Sequence, residues 1–317
     1  MRHATDTASL VFPHGFDHAP RFEDLRSTSI EVCRLLDAAQ REVDTMASLL
    51  LCGEPGTGKA TLARAIHAAH RFPGRPFVHS FLGAASGTAW FAERIHDAQR
   101  GTLFVHGLAL APSEVRHGML VALERGLHED LQVRIVTAST RSLDELASNS
   151  SLIEPELLQR LSQVVLDLPP LRRRGDDIVP AFEAALAREA LRLGREPFGR
   201  PSSLVQRTLA SWPWPANFHG LLASARHAAA AAKGTHVSAE DLGLCPEDAV
   251  TALHALSVTP EFVADQRLSL VIGALVQANG NVVEAARALD VSKSTLYVWV
   301  QQMGLDPRMF RLRRRRA

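Results

Sequence analysis

The residues most capable of chemistry lie between Ser48 and His70. An apolar run, Ser48-Leu49-Leu50-Leu51-Cys52, meets Gly53-Glu54-Pro55-Gly56-Thr57-Gly58-Lys59 and then a helical pattern. A buried strand that turns through glycines into a helix start is an arrangement that binds phosphate. Its backbone N–H groups point into the loop, the helix dipole adds positive potential, and a lysine reaches the terminal phosphates. The spacing fits a P-loop, whereas Thr61 defeats a dinucleotide G-x-G-x-x-G reading at its third glycine. Gly53, Gly56, Thr57, Gly58 and Lys59 are therefore the candidate nucleotide contacts, with Ala60 and Thr61 at the helix start. Ala60 stands where the motif wants a hydroxyl for Mg²⁺, and Thr61 is displaced onto another helix face. The plain alternative is a glycine-rich turn that holds no ligand; the flanks on both sides favour phosphate.

Elements must position that loop. Helical spacing of Val32, Leu35, Leu36 and Ala39 predicts a helix over residues 30–43, ahead of the loop's strand. Further strands are expected at 76–81, 102–106, 133–138 and 164–168, with a helix from Pro112 stopped at Gly126. Strands separated by helices imply a parallel sheet covered on both faces, which takes ligands at the carboxyl ends of its strands. After Pro169-Pro170 only helices follow. One is expected from an Asp176-Asp177 cap to about Leu193, a second from Pro201-Ser202 to Trp212, and a third from an Asn217 cap to Lys233. Residues 244–260 read as a linker, and residues 1–27 as a loosely ordered arm.

The chain has 317 residues, ample for two or three domains, with 35 basic and 34 acidic side chains and a net charge of +1. That balance carries no whole-chain nucleic-acid signal, but Arg308, Arg311 and Arg313 to Arg316 crowd the C-terminus. Cys33, Cys52 and Cys245 are scattered and odd in number, which speaks for a reducing cytoplasm and against a disulfide framework or zinc site. Neither a signal peptide nor a run of bilayer length is read, so the expected protein is cytoplasmic and has no membrane partner.

Taken in order, Gly53-Glu54, Gly58-Lys59, Gly101-Thr102-Leu103-Phe104, Leu168-Pro169-Pro170-Leu171-Arg172 and Trp214-Pro215-Ala216-Asn217 resemble the bacterial enhancer-binding proteins, the AAA+ activators of sigma-54 RNA polymerase. The resemblance spans roughly residues 28–305. It implies a P-loop AAA+ parallel sheet over 28–170, a helical lid over 171–243, and an all-α helix-turn-helix domain of Fis type over 261–317. Gly280-Asn281, Ala285-Ala286, Leu289 and Val291-Ser292-Lys293-Ser294-Thr295-Leu296-Tyr297 carry the last part.

The departures from the family are specific. After Gly-Thr-Leu-Phe the family has an aspartate and a glutamate that hold Mg²⁺ and orient the attacking water; here His106 and Gly107 stand there. The polar residue at the tip of the fourth strand is Thr140. Of two arginines that family members offer to a neighbouring subunit's nucleotide, the first position is Glu154 and the second Arg160. The lid arginine is His219. Phosphoryl transfer needs electrostatic groups at these places together, so the resemblance implies a catalytic set that is no longer intact and a doubtful Mg²⁺ site. The sigma-54 contact loop of the family lies between Phe81 and Gly101. It is shorter here, and Gly83-Ala84-Ala85-Ser86-Gly87-Thr88 within it reads either as a remnant of the family's contact motif or as a chance flexible loop; in either case the motif's aromatic is absent, since Ala85 would occupy its position. Trp90 and Phe91 read as packing residues.

In the final unit Val291, Leu296 and Val300 are core positions. A polar face of Ser292, Lys293, Ser294 and Thr295, continued by Tyr297 and Gln301, stands where a recognition helix meets phosphates and base edges. Arg311 and Arg313 in the basic tail are candidates for the DNA backbone. The bland alternatives are a simple three-helix bundle and a solvated end.

These features predict a sequence-specific regulator of transcription that binds double-stranded DNA, descended from an enhancer-binding ATPase and independent of sigma-54 and of ATP turnover. RNA polymerase is a further expected partner. The AAA+ body would support homo-oligomers and accept ATP or another nucleotide, and the C-terminal domain would dimerise. Two alternatives stay open: an ATP-hydrolysing sigma-54 activator, and a sensor of another nucleotide such as a cyclic dinucleotide.

Overall fold

The computed structural model describes residues 20–25, 27–70, 74–82, 89–108 and 111–244, and, towards the C-terminus, residues 271, 275, 278, 281–288 and 292–302. Five parallel strands, β1 (Leu49–Cys52), β2 (Phe77–Phe81), β3 (Thr102–His106), β4 (Arg134–Ser139) and β5 (Val164–Asp167), form one sheet in the order β2-β3-β4-β1-β5. The loop strand β1 pairs with β4 on one side and β5 on the other, with Cys52 beside Ser139 and Asp167.

Leu49, Leu50 and Leu51 are all fully buried because both faces of the sheet are covered. Alternation divides the core. Leu49, Leu51, Phe104 and Val136 face one layer with α1 (Ile30–Arg41), α2 (Lys59–Ala69), α8 (Gly175–Arg192) and α10 (Asn217–Ala231). Leu50, Leu103, Val105 and Ile135 face the other with α3 (Trp90–Asp97), α4 (Ser113–Glu124) and α7 (Pro155–Leu161). Each such side chain contributes roughly 1.5–3 kcal/mol by leaving water. Short helices α5 (Leu127–Asp130) and α6 (Leu143–Ala147) complete the connections, and α9 (Ser203–Ser211) packs on α8.

The expected strands are present within two residues. Helix α1 ends at Arg41 rather than Val43, and α10 at Ala231 rather than Lys233. Two expected caps are corrected. The carboxylate of Asp177 does not cap α8; it accepts from Ser27 Oγ at 2.6 Å, Thr28 N at 3.1 Å and Arg174 Nε at 2.9 Å. Asn217 is the first residue of α10 at φ +49°, and its side chain points back into the loop after β1. In the interval from Phe81 to Gly101 the structure adds α3, with Phe91 fully buried and Trp90 against the same core, as packing residues should be. Residues 83–88, including Ala85, lie outside the described residues, as do residues 1–19 of the expected arm over 1–27 and most of the linker. The end of that arm is not loose, since Phe22–Leu25 form a short 3-10 helix that buries Leu25 in the core.

At the C-terminal end, α11 (Val282–Ala288) and α12 (Lys293–Gln302) share a small core of Val271, Leu275, Ala278, Val282, Ala285, Ala286, Leu296 and Val300. Asn281 caps α11, its Oδ1 accepting from Val283 N at 3.0 Å.

Candidate functional site

The P-loop runs from the end of β1 into α2. Gly53 (φ +146°) and Gly56 (φ +76°) are needed for close approach as well as conformation: a Cβ at Gly53 would lie 2.6 Å from the Leu168 carbonyl, and one at Gly56 2.4 Å from that of Ala216. Gly58 is the left-handed N-cap of α2. Thr57 is buried, its hydroxyl donating to Glu54 O at 2.8 Å. Lys59 folds over the loop, its ammonium donating to Gly53 O at 2.5 Å and Glu54 O at 2.8 Å. Ala60 is half-buried in the first turn, and Thr61 is buried in the helix packing.

The helical layer sits directly on this loop. Asn217 Nδ2 donates to Pro55 O at 2.8 Å and to Glu54 Oε2 at 3.1 Å, while its Oδ1 accepts from Leu171 N at 2.7 Å. Phe218 N donates to Gly56 O at 3.1 Å. The guanidinium of Arg172 forks onto both carboxylate oxygens of Glu54. Burial raises the Glu54 pKa, but the hydrogen bonds from Arg172 and Asn217, with Lys59 nearby, outweigh it and leave the carboxyl below its usual range. Behind this clamp, Arg174 stacks on the Phe218 ring at 5.0 Å.

Removing the fully buried Asn217 amide should leave Leu171 N–H and Pro55 C=O without a partner. Asn217→Ala is expected to lower the unfolding free energy by about 2–3 kcal/mol in a denaturant titration. The Glu54 pKa is depressed on folding, so the clamp is intact above the ordinary carboxylate pKa and is lost as pH falls through the lowered value. Glu54→Gln should therefore flatten the acid limb of the stability profile.

Across the loop, His106 ends β3. Its ring lies 4.9 Å from that of His79 on β2, and both pack on Phe104. Burial, then the neighbouring His79 and Lys59, push its pKa down to about 3, so the imidazole is neutral. Gly107 follows at φ +87°. Thr140 lies at the carboxyl edge of β4, in a cleft of about 530 Å³ that it shares with Gly53, Glu54, Glu145, Asp167 and Arg173. In that cleft the Cys52 thiol is pushed up to about 12 by burial and by Asp167.

The remaining positions differ in their surroundings. Glu154 is the N-cap residue of α7 and accepts from Arg116 Nε at 3.0 Å; Arg116, nearly buried, also donates to Ala111 O at 2.7 Å. Arg160 lies on α7 and faces Glu124 at 3.7 Å, half-exposed and on a different element from the loop. His219 lies against the loop: a Cβ at Gly56 would come within 3.3 Å of its ring. Sequence reasoning missed the Glu54–Arg172–Asn217 clamp, the Arg116–Glu154 pair and the place of His79. An acid inside a phosphate loop was the one signal for the first, and the period-2 spacing of Phe77 and His79 for the last.

At the start of α12, Ser292, just before the helix, and Lys293 and Ser294 are exposed, Ser292 and Ser294 share a hydrogen bond of 2.8 Å, and the Lys293 ammonium lies 5.9 Å from the ring of half-exposed Tyr297. The side chains of Thr295 and Gln301, and Arg311 and Arg313, lie outside the described residues. Among the described residues, no cluster of three or more metal-ligating side chains occurs, and no helix is long and apolar enough to cross a membrane.

Residues 27–171 match the family model described as the Sigma-54 interaction domain. Over 312 residues the chain is 28% identical to the alginate biosynthesis transcriptional regulatory protein AlgB of Pseudomonas aeruginosa, covering 89% of this chain and 68% of that one. It is also 28% identical to the C4-dicarboxylate transport transcriptional regulatory protein DctD of Rhizobium meliloti, over 96% of this chain and 67% of the relative. The chain thus spans about two thirds of the length of these relatives. In fold it is similar to NtrX from Brucella abortus, solved in complex with ATP: TM-score 0.61 and 20% identity, over 89% of this chain and 69% of the other. The parallel sheet and the helices packed on it have the P-loop AAA+ type of fold.

Proposed function

We propose that this protein, similar to transcriptional regulators that carry a Sigma-54 interaction domain, regulates transcription by binding double-stranded DNA, and does so without hydrolysing ATP and without engaging sigma-54. The observation that supports the absence of ATP hydrolysis is the tip of β3, where a neutral, half-covered His106 and then Gly107 stand at the positions that the family resemblance gives to a metal-binding acid and a water-orienting acid. The sigma-54 part rests on the sequence alone, on the short interval from Phe81 to Gly101 and on Ala85. A neutral imidazole is a poor ligand for Mg²⁺, which takes oxygen, and glycine polarises nothing. Glu154 is engaged by Arg116 of the same chain and carries the wrong charge to stabilise a neighbour's phosphate.

The exposed Ser292, Lys293, Ser294 and Tyr297 on the second helix of a packed pair support the DNA half of the reading. The AAA+ body then serves assembly and the holding of a nucleotide. Gel-shift titration against genomic fragments tests this. Saturable binding to one fragment in the absence of nucleotide is the expected outcome, and equal affinity for all fragments contradicts it. The competing reading, an ATP-driven sigma-54 activator, is favoured by the match over residues 27–171 and makes the opposite forecast for phosphate release.

A further inference from the structure

The family's P-loop sites work with Mg²⁺, and the donor set here does not fit that ion. Ala60 offers a methyl group in the first turn of α2, and Thr61 is buried in helix packing. His106, at the tip of β3, is packed between His79 and Phe104. The carboxylates nearest the loop are committed or misplaced. Glu54 is held by both arms of Arg172 and by Asn217. Asp167 and Glu145 line the cleft beside Cys52, and β4 and β1 separate the Asp167 strand from β3. Yet the groups that hold phosphate without a metal remain. Gly56 and Gly58 keep the turned backbone ahead of α2, and the Lys59 ammonium sits on two carbonyls of the loop that a phosphate oxygen can replace.

We infer that the loop takes the diphosphate of a nucleotide as the free anion, with no Mg²⁺, and that a third phosphate adds no affinity. The inference rests on the reading above, that the site does not turn over ATP. Its physical basis is the division of labour in such sites. Loop amides and the lysine cradle the phosphates, whereas the terminal phosphate is neutralised chiefly by the metal and by cations from outside the loop. Here the metal ligands are missing, and the position for a lid cation is His219, lying against Gly56. Because Mg²⁺ in solution complexes the free nucleotide, the ion becomes a competitor of this site instead of a helper.

The test is a calorimetric or fluorescent titration of the intact protein with ADP and with ATP, in EDTA and in millimolar Mg²⁺. ADP should bind in EDTA at least as tightly as in Mg²⁺, ATP should match ADP within about threefold, and Lys59→Ala should weaken both by more than about tenfold. His106→Asp combined with Ala60→Ser, its folding checked by thermal melting, should restore a requirement for Mg²⁺. Binding that disappears in EDTA and returns with Mg²⁺ would overturn the inference. So would a folded wild-type protein that binds neither nucleotide in either buffer, an outcome that leaves the DNA reading standing. Phosphate release would instead sink the reading on which the inference rests.

Discussion

ATP turnover by the intact protein should stay at the level of the buffer blank, whatever the protein concentration or the DNA supplied. Each group absent here acts on transition-state charge, and losing such groups costs orders of magnitude in rate. Three structural facts support the proposed joint loss. The β3 tip presents neutral His106 and Gly107, Glu154 is held in place by Arg116 at 3.0 Å, and His219, which the resemblance puts in the place of the lid arginine, lies against Gly56. Restoring the acids by His106→Asp with Gly107→Glu should therefore not restore turnover, since the other positions remain altered. The second substitution also places a side chain at φ +87°, where a β-carbon is strained. Coupled phosphate-release assays check this. Robust release by the unmodified protein, abolished by Lys59→Ala, would mean that the β3 tip does support hydrolysis.

Specific DNA binding should depend on α12. Replacing a base-facing side chain, with Lys293, Thr295 and Gln301 as the candidates, is expected to cost roughly 1–3 kcal/mol on the specific site and to relax discrimination there. Removing residues 311–316 should act differently. All sequences would weaken alike, and the logarithmic salt slope would fall by about 0.9 for each phosphate that the tail no longer neutralises. Two copies of the C-terminal unit would read half-sites about one helical turn apart, so the operator should be an inverted repeat. The core under this face is compatible with that placement: Leu296 and Val300 point into the cluster with Val282 and Ala285, which leaves Ser292, Lys293 and Tyr297 outside. Unchanged specificity in Lys293→Ala with Gln301→Ala would remove α12 from the recognition role.

The sheet was legible because its strands are short apolar runs between glycines, prolines and helical spacing. Leu49 to Cys52 can hardly be anything but a strand buried on both faces. Helix α3 was hidden by expectation, since the resemblance assigned its interval to a loop, although Phe91 and Ile95 stand four residues apart and both are fully buried. The caps misled for a different reason. Asp and Asn before a helix satisfy free N–H groups by default, but Asp177 and Asn217 found stronger tertiary partners in Ser27, Thr28, Leu171 and Pro55, and no local pattern reports such partners. At the site, the loop and the substituted positions were readable one by one. Their mutual arrangement was not, because it depends on register: Phe81 beside His106, and Cys52 beside both Ser139 and Asp167.

The most direct measurement is open-complex formation at a sigma-54 promoter placed beside a site that this protein binds. Purified sigma-54 holoenzyme, ATP and the intact protein would be combined, and strand opening read by permanganate reactivity of unpaired thymines. The protein should occupy its site while the promoter stays closed at every concentration. ATP-dependent opening that Lys59→Ala abolishes would contradict a regulator that works without sigma-54 and without ATP turnover.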